Sequence, residues 1–140
     1  LVDLSQFGTG NEETFRAALD NETKKLKRAF PRRSRKWGLA RKLLNIFLRD
    51  CAYTIYLARE YDLHLAEDFF EIPLDSITAR GLKRVTAHGN LPRWPGVKHV
   101  TPRLSRRFQL AAQQQAQKRG IARLHLDALL WPVLRDDNEV

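Results

Sequence analysis

Two residues of this chain have the types and placement to do covalent chemistry together. Lys42 follows Trp37-Gly38-Leu39-Ala40-Arg41, and Asp75 closes the short turn Ile72-Pro73-Leu74-Asp75. An amine attacks an electrophilic carbon only when neutral, whereas a lysine in water is almost wholly protonated near pH 7, so a site that uses it must disfavour its charge. The positive end of a helix opening at the glycine turn, together with Arg41, Arg35 and Lys36, opposes protonation there. A carboxylate folded opposite the amine would stabilise positive charge on the substrate or help activate the nucleophile. Asn45, three residues past Lys42, could hydrogen-bond near the pair. Each residue also has a plainer reading, Lys42 as a phosphate contact and Asp75 as a helix N-cap after proline.

The elements that must position this pair are helical. Asn11 or Thr14 can cap a helix from about Glu12 to Phe30, ended by Pro31, and a second helix runs from about Leu39 to Tyr61. A third starts at Asp75 or Ser76 and reaches about Ala87. Thr101 and Pro102 open a fourth that ends at Gly120, and residues 124–134 form the last, with Leu126, Leu129, Leu130 and Val133 facing a core. Between the third and fourth, Gly89 to Gly96 is dense in turn formers and reads as an ordered loop with Trp94 tucked against the body. Gln109, Gln113 and Gln117 read as one solvated helix face. The expected fold is therefore all-α, a compact bundle of about five helices in a single domain over residues 1–140. Residues 1–11 are expected to form a flexible N-terminal segment and 136–140 a frayed acidic tail.

Charge narrows the partner. The formal net charge is +9, and the run from Lys24 to Lys42 holds ten lysines and arginines with no acidic residue. A basic stripe leading into a helix start attracts a polyanion, of which nucleic acid is the usual one. A glycine hairpin between two helices also leaves the first amides of the second helix free to hold a phosphate. The phosphate grip is accordingly expected from the side chains of Arg32, Arg33, Arg35, Lys36 and Arg41 and from the backbone of Gly38, Leu39 and Ala40.

Other classes are disfavoured. No apolar run approaches the ~18 residues needed to span a bilayer, and the first residues lack the pattern of a signal peptide, so a cytoplasmic, nucleoid-associated monomer is expected. The lone cysteine, Cys51, excludes an internal disulfide framework, and it reads as a buried thiol. His64, His88, His99 and His125 show no ligand spacing, and no metal or cofactor is implied. His125 and Asp127 read as structural. The absence of methionine suggests a trimmed or processed start.

The segment Gly38-Leu39-Ala40-Arg41-Lys42-Leu43-Leu44-Asn45-Ile46-Phe47-Leu48 resembles the hairpin and following helix of the helix-hairpin-helix DNA glycosylase superfamily, with alanine where the hairpin's second glycine usually stands. Ile72-Pro73-Leu74-Asp75-Ser76 is similar to the family's turn into its catalytic aspartate, spaced as in the archaeal-type 8-oxoguanine glycosylases. Residues 120–131 resemble that branch's closing helix. The resemblance implies a DNA repair glycosylase with AP lyase activity acting on duplex DNA that carries an oxidised base such as 8-oxoguanine. Lys42 would be the nucleophile and Asp75 its partner, with the nucleotide flipped from the stack. The rivals are a non-catalytic helix-hairpin-helix DNA-binding protein and a small basic helical module that binds RNA or protein.

Overall fold

The computed structural model describes residues 2–87 and 89–135, the last five of these by backbone course alone. All regular structure among them is helical. Six α-helices, α1 (Glu12–Ala29), α2 (Trp37–Tyr53), α3 (Ile55–Glu60), α4 (Ser76–Val85), α5 (Pro102–Lys118) and α6 (Arg123–Arg135), are joined by loops and 3₁₀ turns. Among the described residues no helix is long and apolar enough to cross a membrane.

The caps follow from the sequence. Asn11 accepts from the Thr14 amide at the start of α1, Asp75 from Thr78 at α4 and Thr101 from Leu104 at α5, each satisfying an amide that the helix leaves free. Alpha5 closes on Gly120 at φ +66°, with the Ile121 amide bonded to the Ala116 carbonyl and the Gly120 amide to that of Gln117. This is the six-residue closure that a left-handed glycine permits. Thr101→Ala should lower stability by about 1 kcal/mol, read as a shifted denaturation midpoint, because it removes a cap bond without touching the core.

Two expected boundaries are corrected. The helix expected from Leu39 to Tyr61 breaks at Thr54, whose backbone is extended and whose hydroxyl donates to the Asp50 carbonyl at 2.8 Å. A threonine that bonds back four residues competes with continued helix, and neither proline nor glycine marks the place. Gly38, expected to form the turn, instead lies inside the first turn of α2. The junction with α1 is the 3₁₀ turn Arg32–Ser34, so a glycine hairpin is not what joins the two helices.

Side chains collect into two apolar cores. The first holds Leu4, Phe7, Phe15, Leu19, Leu44, Leu48, Cys51, Leu63 and Phe70, under α1, α2 and the 3₁₀ turn Leu63–Phe69. The second holds Ile72, Leu74, Leu82, Phe108, Ala112, Leu126 and Leu130, among α4, α5 and α6. Leu129, expected inward, is exposed. Trp94 packs edge-on against Phe108, as the turn-rich loop predicts. Part of the N-terminal segment is docked on the body. Asp3 caps the 3₁₀ turn Leu4–Phe7, Phe7 is fully buried against Phe15, and Gln6 donates to the buried Glu22. Two apolar side chains in a short segment suffice to dock it. The side chain of Trp131 and the tail 136–140 lie outside the described residues.

Candidate active site

The route of residues 70–75 organises the centre of the molecule. Phe70 belongs to the first core and Ile72 and Leu74 to the second, so this extended segment crosses from one to the other. Its backbone makes no helix, and buried amides and carbonyls need partners. Gln109 supplies two of them, donating to the Ile72 carbonyl at 2.8 Å and accepting from the Ile72 amide at 3.1 Å. The Arg123 guanidinium donates to the carbonyls of Phe70 and Phe69 at 3.0 and 3.1 Å. Gln109 is thus buried rather than part of a solvated face.

At the crossing point Glu71 meets Arg41. The guanidinium grips the carboxylate in a fork, Nε to Oε1 at 2.9 Å and Nη2 to Oε2 at 3.3 Å, and its Nη1 reaches Asp20 and Thr23 at 2.9 Å each. It also lies over the Trp37 ring. Asn45 donates to the same Glu71 oxygen at 3.1 Å, so it belongs to this network. Burial by itself would raise the Glu71 carboxyl, but the charge and hydrogen bonds of Arg41 outweigh it and hold the group below the usual glutamate range. Burial would likewise lower Arg41, and Glu71 and Asp20 hold it up. Both stay ionised. Arg41, expected as a phosphate contact, is therefore engaged internally, with only 6% of its surface exposed.

The same segment delivers Asp75 to Lys42. Their charged atoms, Nζ and Oδ2, lie 3.8 Å apart, with each side chain about one-quarter exposed, while the other Asp75 oxygen caps α4. Lys42 is the sixth residue of α2, in its second turn rather than at its start, and beyond the first turn the helix dipole contributes little. Because Arg41 is matched by two carboxylates, it adds little net positive potential beside the amine. Further along α2 the pattern repeats. Arg49 meets Asp127 at 2.6 Å, Asp127 accepts from Thr78, and Tyr53 meets His125, which bonds Glu67. His125 and Asp127 thus have structural partners. Burial keeps the Asp127 carboxyl above its ordinary value despite Arg49.

A cavity of about 270 Å³ opens beside the network, with Arg16, Lys24, Arg106 and Arg123 on its walls beside the paired Arg41, Asp20 and Glu71. A narrow void shares Trp37, Arg41, Ser105 and Gln109 with it and reaches Lys42. Of the expected grip, Arg32, Arg33, Arg35 and Lys36 are exposed, and Arg35 caps the Phe30 carbonyl. Gly38 is buried. A Cβ built there would stand 2.3 Å from the Val97 carbonyl oxygen, so residues 97–100 lie directly on the first turn of α2. Leu39 and Ala40 follow within the helix, and the Ala40 amide already bonds the Lys36 carbonyl. Among the described residues no group of histidine, cysteine and carboxylate side chains could hold a metal.

The chain matches no family model, no curated protein and no solved structure. Sequence reasoning missed Glu71, Gln109 and Arg123. The available signal was Glu71 immediately before Ile72-Pro73, since a charged residue entering an apolar turn needs a partner.

Proposed function

We propose that this chain is a DNA repair glycosylase with AP lyase activity. Lys42 attacks the C1′ carbon of a flipped, damaged nucleotide, the base leaves with the bonding electrons and a proton, and the opened sugar remains as an imine on the lysine. Loss of a proton from the adjacent C2′ then expels the 3′ phosphate. Asp75 stabilises the positive sugar and assists proton movement. The resemblance suggests an oxidised base such as 8-oxoguanine in duplex DNA.

The observation that carries the proposal is the 3.8 Å approach of Lys42 and Asp75, distant in sequence and both reachable by solvent. The test is covalent trapping. Duplex DNA with 8-oxoguanine or an abasic site, treated with borohydride, should give a protein–DNA adduct that Lys42→Gln abolishes. Asp75→Asn should slow trapping at least about 10²-fold while keeping the helix cap, because asparagine caps as well as aspartate. No adduct on any damaged base or abasic site would end the lyase reading. It would favour a non-catalytic DNA binder, a reading that has its own support: Asp75 caps α4 and neutralises Lys42, which is already a complete structural role.

A further inference from the structure

From Ser76 to Leu126 the chain carries eleven lysines and arginines and no aspartate or glutamate. The fold gathers several of these at the start of α5 and the loop before it. Arg93, His99, Arg103 and Arg107 line one open groove of about 490 Å³ with Pro95, Thr101 and Leu104. Arg106, on the adjacent stripe of α5, lines the central cavity with Arg16 and Lys24. Arg93, Arg103, Arg106 and Arg107 are all exposed, and no ion pair joins any of them to a carboxylate among the described residues. Clustered like charges repel and destabilise the folded state unless an external anion compensates them.

The position of the cluster says which anion. The 3₁₀ turn Val97–His99 and Val100 sit on the first turn of α2 at Gly38, which joins this groove to the start of α2 and so to the basic residues 32–36. Arg106 extends the same charge to the central cavity, where Arg16 and Lys24 also stand. The result is an extended cationic track rather than a single anion site, which fits the regular phosphates of a nucleic-acid backbone. A membrane surface would need a broad apolar face between the cations, whereas Trp94 is turned inward onto Phe108.

We propose that the loop before α5 and the first two turns of α5 form a second phosphate-gripping arm for duplex DNA, through Arg93, Arg103, Arg106 and Arg107, acting together with the basic residues 32–36. The proposal rests on the DNA reading above, and its test does not depend on catalysis.

Binding of an undamaged duplex is measured by fluorescence anisotropy across a range of KCl concentrations, for the unmodified chain and for Arg93→Gln, Arg103→Gln, Arg106→Gln and Arg107→Gln combined. Each lost phosphate contact should reduce the slope of log K against log salt by about 0.9. The combined arginine-to-lysine variant should keep most of the slope, which a merely structural role for the four side chains would not predict. An unchanged slope in the glutamine variant overturns the arm, even with trapping intact. A reduced slope without any trapping supports the arm and sinks the lyase alone. If single-stranded RNA or an acidic polypeptide binds more tightly than the duplex, and only that binding responds to the substitutions, the duplex assignment is overturned.

Discussion

Replacing Glu71 by alanine should destabilise the protein by about 3–5 kcal/mol, the cost of stranding one member of a buried ion pair. Arg41 would keep Thr23 and the half-exposed Asp20 but lose the forked partner that neutralises it in the interior, and Asn45 would lose its acceptor. The measurement is the urea midpoint at neutral pH. Replacing both partners, Arg41→Met with Glu71→Leu, should cost clearly less than the sum of the single substitutions, since no uncompensated charge is left behind. Equal or greater loss in the double variant would show that the pair is not the energetic unit proposed.

The same carboxylate predicts an acid limb. Its folded pKa lies below the ordinary value of 4.5, so the unfolded chain takes up the proton first as pH falls. The stability contributed is complete above that ordinary value and is lost as pH drops through the folded one. Glu71→Gln, although less stable overall, should show a shallower decline below pH 4.5. An unaltered acid limb would assign it to other carboxylates.

Gly38→Ala should be the second large effect, about 1–3 kcal/mol and a melting temperature lower by several degrees. The added carbon would meet the Val97 carbonyl oxygen at 2.3 Å and the Val100 Cβ at 2.8 Å. Neither is the tip of a flexible side chain, so the turn Val97–His99 must move away from α2. Alanine's better helix propensity cannot offset such a clash. Because the void at Lys42 is also lined by Gly38 and Val100, trapping should fall along with stability. If Gly38 served only to admit a phosphate, the substitution would weaken DNA binding and leave melting unchanged. The two outcomes separate a packing glycine from a hairpin glycine.

The all-α class and most helix ends could be read locally, because a cap acts within three residues of itself. Asn11, Asp75, Thr101 and Gly120 each end or begin a helix where their side-chain or backbone chemistry places it. The break at Thr54 was less legible, since the same threonine is tolerated within a helix when its hydroxyl does not back-bond. The nearness of Lys42 and Asp75 was expected from their resemblance to a known pairing, yet its cause is not local. It depends on residues 70–75 passing between two cores, with their backbone satisfied by Gln109 and Arg123 from distant helices.

Residue type and position along the chain thus determined an all-helical protein with a cationic surface and a lysine and aspartate available for chemistry. Only the tertiary structure decided which cations remain available. Arg41, beside Lys42 in sequence, points into the interior because a helix turns each successive side chain by about 100° and Glu71 and Asp20 wait on that face. Arg103, Arg106 and Arg107, far from Lys42 in sequence, remain on the surface, and among the described residues no carboxylate pairs with them. Charge composition sets how many cations there are, and three-dimensional pairing sets which of them can meet another molecule.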